Sequence, residues 1–277
     1  MSDEGWCDSE ALILEIAAGG AVVALNLIAN RLPGHVQLPA NLAAAGLAAL
    51  LARRAGVAWE DQGLHPRDVP RGARAGITVA STLATITAAG LLAPGAGGFY
   101  QDERIVRAST RQMVYQVFVR IPFATALPEE VIFRGSLLGL LTRRRSPVAA
   151  AALSSLLFGL WHILPTFDRI PTNPGTRHAH GDPRRTALVL AGHVTSTTLM
   201  GLGLSWLRLR SKSTVAPILA HATPNAVGFL GGWAIAHAPQ IRRRLARAVR
   251  RSIESGTLAP APTRPDDGVE TAAGSGP

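Results

Sequence analysis

The sequence lacks the parts that several protein classes need. Its 277 residues hold one cysteine, Cys7, so no internal disulfide and no cysteine-built metal cluster can form. Lysine occurs once, as Lys212, and arginine carries nearly all of the formal +10 net charge. No nucleic-acid-binding module is readable, so the basic balance points to lipid headgroups and not to nucleic acid. The first ten residues carry Asp3, Glu4, Asp8 and Glu10 and no basic residue. That excludes the pattern of a cleavable secretory signal and reads as a retained anchor. No internal repeat is present.

What the sequence has instead is long apolar runs. Hydrophobic residues make up 47% of the chain, and mean hydropathy is +0.20. A spanning helix needs about 20 apolar residues. Candidate spans lie at Ala11–Ala29, Val36–Ala52, Ala73–Ala93, Met113–Leu141, Pro147–Leu164, Ala187–Leu207 and Thr214–Ala236. Pro94-Gly95-Ala96-Gly97-Gly98 closes the third run, and Pro224 is a candidate break within the seventh. The expected fold is therefore all-α, a polytopic membrane helix bundle of seven to eight spans in the cell membrane. Tyr100–Arg111 reads as an interfacial segment, Pro165–Thr186 as an extramembrane loop, and residues from Ser255 onward as a disordered tail. The arginines cluster between and after the runs, at Arg53-Arg54, Arg143–Arg145 and Arg242–Arg244, where they meet lipid. They do not select one orientation. The domain plan is a polar segment 1–10, N-terminal helices and interfacial segment 11–112, a catalytic core 113–237, and a basic juxtamembrane segment with tail 238–277.

The chemistry is concentrated in three polar sets inside apolar spans. Glu129-Glu130-Val131-Ile132-Phe133-Arg134 places adjacent carboxylates in the fourth. A charged group at membrane depth costs about 2.5–3.5 kcal/mol or more, so such groups mark function or a structural clamp. Glu130 and Arg134 are i, i+4 neighbours and can pair. Glu129 points about 100° away and can face another partner. Pro128 removes a backbone donor there and favours a helix start or kink.

The fifth span carries Phe158-x-x-x-His162, and the seventh carries His221-x-x-x-Asn225. A glutamate and a histidine converging on one water make a general-base device. His221 and Asn225 share a helix face and can donate to a developing oxyanion, while Phe158 shapes the cavity by packing. His193 has no partner at helical spacing and reads as structural. His178 and His180 read as solvated, and Gly201 and Gly203 as helix-packing glycines.

Taken together the motifs resemble those of the CAAX protease and bacteriocin-processing (abortive-infection) family, which includes the type II CaaX prenyl endopeptidases. The resemblance covers Met113–Gly231. It implies an intramembrane protease in which Glu129 and His162 activate water, His221 and Asn225 stabilise the oxyanion, and Glu130 and Arg134 support the site. It implies a membrane-associated peptide or protein substrate, prenylated or not. No cofactor is expected, since H-E-x-x-H is absent. The alternative is a zinc site built from Glu129, His162 and His221. A non-catalytic scaffold or immunity protein of the same fold and a transporter are the non-protease readings. Oligomeric state is not legible.

Overall fold

Capping residues set where the helices begin. The structure is a computed structural model that describes residues 32–93 and 100–254, and all regular structure in them is helical. Helix α1, Gly34–Arg54, ends on Arg53 and Arg54, whose charges complement the carbonyl end of the helix. A 3₁₀ turn at Pro66–Asp68 leads into α2, Val69–Leu92. Asp102 caps the short α3, Glu103–Val106, and a reciprocal Ser109–Gln112 capping box starts α4, Thr110–Tyr115.

The chain then stays helical but changes pitch. It widens to a π register over Gln116–Ala126, tightens as α5, Leu127–Glu130, widens again over Val131–Leu137, and closes as α6, Leu138–Leu141. Such π stretches recur at functional sites. Loosened carbonyls here find side-chain donors: Ser136 Oγ donates to Val131 O at 3.1 Å and Ser154 Oγ to Phe133 O at 2.8 Å. Pro128 has no N–H to offer the Ala124 carbonyl, four residues back. Asn41 of α1 supplies that donor at 2.7 Å.

Ser146 caps α7, Pro147–Trp161, with proline at its first position. After a one-residue turn at His162, α8 covers Ile163–Arg169. A 3₁₀ turn at Arg177–Ala179 precedes α9, Pro183–Ser211, which Asp182 caps. Lys212 ends it in the left-handed region at φ 56°, and α10 runs over Val215–Glu254. Helices α7 and α9 meet closely because Gly159 and Gly201 lack side chains. A Cβ at Gly159 would lie 2.8 Å from the Val194 carbonyl, and one at Gly201 would lie 3.0 Å from Ser155. Gly203 faces open space instead.

Four helical stretches are long and apolar enough to cross a membrane: Gly34–Arg54, Pro66–Leu92, Pro147–Arg169 and Pro183–Ser211. Their outward faces carry exposed Leu50, Ile77, Ile86, Val148, Leu188 and Leu199, the surface expected against lipid. The expected count of seven to eight is thus met by four stretches among the described residues. The fourth span is helical, but Arg120, Glu129, Glu130 and Arg134 keep it from qualifying by composition. The seventh lies within α10, which runs unbroken through Pro224. The first run, the Pro94–Gly98 breaker, Cys7 and the tail lie outside the described residues. Another correction concerns Pro165, which does not open a loop. It sits in the first turn of α8, where a missing N–H leaves no hydrogen bond unmade.

The core surrounds Phe133 and Phe158, with Ile132, Leu137, Leu138 and Leu141 packed against Ala45 and Ala49 of α1. A polar knot lies beside it. Gln62, fully buried, donates to Ala49 O at 3.1 Å and accepts from Thr214 Oγ1 at 2.8 Å. Arg208 donates to the Asp61 and Glu60 carbonyls. Gly63 holds φ 67°, and a Cβ there would strike the Arg208 guanidinium. Residues up to Ala236 form one compact unit and those from His237 a second. Within the second, exposed Arg243, Arg247 and Arg251 recur every four residues along α10.

Candidate active site

The short α5 turn, between two π stretches, presents Glu129 and Glu130 in different directions. Glu130 is fully buried and pairs with Arg134, also fully buried, at 3.1 Å, as their i, i+4 spacing requires. The same oxygen, Glu130 Oε1, accepts from His221 Nδ1 at 2.8 Å. One carboxylate oxygen therefore ties α5 to α10 across 91 positions of sequence. With Nδ1 donating to Glu130, His221 Nε2 is left on the far side of the ring. It stands 3.9 Å from Glu129 Oε2. His221 thus bridges the two adjacent glutamates.

His162 is oriented by its own backbone. It occupies the turn between α7 and α8, and its Nδ1 lies 2.7 Å from the Phe158 carbonyl. A carbonyl only accepts, so Nδ1 carries the hydrogen and Nε2 of the neutral ring carries the lone pair. Phe158 is the hub. Its ring meets the His162 ring edge-on at 4.6 Å, the His221 ring at 5.8 Å and the Phe133 ring at 5.3 Å. The Arg134 guanidinium lies 4.1 Å from its centroid. The packing role read from the FxxxH spacing is therefore larger than cavity shaping: Phe158 fixes both imidazoles and the arginine at once.

The structure brings Glu129, Glu130, Arg134, Phe158, His162 and His221 into one neighbourhood. Asn225 follows His221 by one turn of α10, is exposed, and bonds to no described residue. No hydrogen bond links Glu129 directly to His162 among the described residues. Two participants have no sequence signal at helical spacing. Trp161 lies within hydrogen-bonding reach of the Glu129 carboxylate and meets Phe133 edge-on at 5.5 Å. His193, read as structural, stands with its ring centroid 6.0 Å from that of His162. The α7–α9 crossing at Gly159 and Val194 sets this approach, because Val194 is the next residue after His193. His178 and His180 are exposed in the turn before α9.

Several polar atoms at this point have no protein partner. Glu129 Oε2, Glu130 Oε2, Arg134 Nε and Arg134 Nη2 are buried without a hydrogen bond. Leaving a buried polar atom unmet costs about 1–3 kcal/mol. Four such atoms around one carboxylate pair mark a place built for something other than stability. Among the described residues, no group of three or more histidine, cysteine, aspartate or glutamate side chains is arranged to hold a metal ion. The Nδ1 atoms of both imidazoles are already committed to protein acceptors. The side chains as placed do not form the three-donor set of the zinc alternative.

Outside the membrane stretches, Asp102 forms a second charged cluster. Arg104 holds its carboxylate through Nε and Nη2, both at 2.9 Å, and Thr172 Oγ1 donates at 3.3 Å. Burial pushes the Asp102 carboxyl up, but the hydrogen bonds and charge of Arg104 outweigh it, and the net displacement is downward. Glu103 N donates to Thr172 O at 3.1 Å, so the segment after α8 is clasped to α3.

Residues 111–227 match the family model described as type II CAAX prenyl endopeptidase Rce1-like, and this range contains all three motifs. No curated protein and no solved structure matches the chain.

Proposed function

We propose, from the match of residues 111–227 to the type II CAAX prenyl endopeptidase model, that the chain is an intramembrane endopeptidase acting through glutamate and histidine on water. The observation that carries this reading is the double use of Glu130 Oε1 by Arg134 and His221, which gathers the buried polar groups at one point. Glu129 is the general base. It takes a proton from water as the oxygen attacks the scissile carbonyl carbon, and His162 Nε2 helps to orient that water. His221, as imidazolium, donates from Nε2 to the oxyanion, and Asn225 adds a carboxamide donor from the next turn. The proton held by Glu129 then passes to the leaving amide nitrogen as the C–N bond breaks. Glu130 and Arg134 hold His221 in place. Trp161 holds Glu129.

The chain is read as a multi-pass protein of the cell membrane, in contact with membrane lipid and cutting a membrane-associated peptide or protein. Among the described residues, the four qualifying stretches, the helical path through α4–α6 and the first part of α10 make up six of the expected crossings. The mechanism uses no metal ion.

The test is cleavage of a panel of membrane-tethered and prenylated peptides by purified protein. Glu129→Ala or His162→Ala should lower the rate by about a thousandfold while the protein stays folded. Full activity in both variants sinks the mechanism. Loss of wild-type activity with a strong chelator, together with stoichiometric metal in the protein, replaces it with the zinc reading. A wild type that cuts no peptide in the panel points to a non-catalytic scaffold.

A further inference from the structure

One nitrogen of Arg134 is used by no step of the mechanism above. Nη1 donates to Glu130, while Nη2 is buried without a hydrogen bond to any described residue. Nη2 stands against α9 at Gly201. A Cβ placed on Gly201 would lie 3.0 Å from Arg134 Nη2, 3.0 Å from Ser155 Cβ and 3.2 Å from Ser155 Cα. A single added methyl would therefore have to displace one of these neighbours.

Neither neighbour has room to give freely. Ser155 is fully buried in α7, and its hydroxyl pairs with that of Ser205 on α9 at 3.3 Å. The Arg134 side chain is also fully buried, with Glu130 Oε1 at 3.1 Å from Nη1 and the Phe158 ring centroid 4.1 Å from Cζ. A side chain at position 201 presses on that guanidinium, and the displacement passes to Glu130 Oε1. The same oxygen anchors His221 Nδ1 at 2.8 Å. Other glycines nearby have no such reach. Gly159, at the same α7–α9 crossing, faces Thr198 and the Val194 carbonyl, so it serves packing alone. The other two glycines of α9, Gly192 and Gly203, would place a Cβ in open space. Glycine inside a helix is disfavoured relative to alanine, and on α9 only Gly201 has neighbours that require it.

We propose that Gly201 is a positioning residue of the active site: the bare backbone at this point of α9 seats the Arg134 guanidinium on Glu130 and, through Glu130, sets His221. The inference rests on the protease reading for the work that His221 does. It adds to that reading a residue from a helix that carries none of the three motifs. The close approach of α9 is then part of the catalytic geometry as well as of the packing.

The test uses the full-length protein in detergent, with isotopically labelled histidine followed by NMR. The Nδ1–H signal of His221, identified as the one absent from His221→Gln, reports the bond to Glu130 without any need for cleavage. Gly201→Ala should shift or abolish that signal. It should also lower kcat for the tethered peptide that wild type cuts fastest by about tenfold or more, with KM nearly unchanged. Gly203→Ala should match wild type in both readouts. The double variant Gly201→Ala/Ser155→Gly removes the serine side chain from the contact and keeps Arg134 Nη2 in it. Its signal and rate should stay altered, and it stands in where Gly201→Ala does not fold. A Gly201→Ala protein with the wild-type His221 signal overturns the proposal, whatever its melting temperature. A double variant that recovers both signal and rate also overturns it, since the glycine then serves only Ser155. Failure of both variants to fold overturns it too, because Gly201 then serves the fold, as does a wild type without a His221-dependent signal. A shifted signal in Gly201→Ala, beside a wild type that cuts no peptide, keeps the positioning role and counts against the protease reading alone.

Discussion

Two buried arginines on neighbouring elements serve opposite ends. Arg208 is 4% exposed and gives its hydrogens to backbone carbonyls of Glu60 and Asp61, inside a knot in which Thr214 Oγ1 also donates to the Gln62 backbone carbonyl. Arg134 is fully buried and pairs with a carboxylate that a histidine shares. The knot leaves Gln62 Oε1 and Arg208 Nε unpartnered. The Arg134 region leaves four atoms so, on Glu129, Glu130 and Arg134. Arginine bonded to carbonyls is held by fixed dipoles and closes a loop. Arginine bonded to a carboxylate in a dry interior sets the charge of that carboxylate and what the carboxylate can hold. The first arrangement completes a fold, and the second leaves buried polar atoms unmet beside Glu129.

The largest way to break this comparison is Arg134→Ala. It strands the Glu130 carboxylate in an apolar interior, a loss of about 3–5 kcal/mol. It also frees His221 from its anchor. Melting in detergent should fall sharply, and any folded remainder should cut no peptide. An Arg134→Ala protein that keeps both its melting temperature and its activity refutes the anchor. Arg208→Ala is the smaller break. It removes charged donors to two carbonyls, worth about 2–3 kcal/mol, and should lower the melting temperature. Its cleavage rate per folded molecule should stay that of wild type. A rate that falls with Arg208 as steeply as with Arg134 erases the distinction between the two regions.

Local spacing made part of this site legible. Glu130–Arg134 at i, i+4 is a helix-surface relation, and it holds here at 3.1 Å. The same is true of Phe158 and His162, whose rings meet edge-on one turn apart. Relations set by tertiary packing were not legible. Nothing in the HxxxN spacing says that His221 turns its Nδ1 to Glu130 rather than only to a substrate oxygen, because that depends on how α10 docks on α5. His193 has no helical partner, so only the close α7–α9 crossing at Gly159 brings it to His162. Pro128 read as a kink, but its consequence, the Ala124 carbonyl handed to Asn41 of another helix, joins residues 83 positions apart. The count of four qualifying stretches among the described residues follows from composition: four charges in the helix through Glu129 depress its hydropathy, so a span that houses chemistry does not qualify by hydropathy alone.

The smallest effect sharpens the contrast from outside the membrane stretches. Asp102 makes its charged bonds near the surface, where Arg104 is 54% exposed, so solvent screens them. Asp102→Asn should cost about 1 kcal/mol near neutral pH. The sign of the pH dependence follows from the direction of the shift. The folded carboxyl lies below its ordinary value of 3.8, so its contribution is present above that value and is lost as pH falls through the lower folded value. The stability gap between wild type and Asp102→Asn should therefore hold from neutral pH down to about 4 and close below it. Thermal unfolding of both proteins from pH 7 to pH 3 reads the gap directly. A gap that stays constant to pH 3 means that the clasp is held by the backbone bond from Glu103 to Thr172, with the charge contributing little.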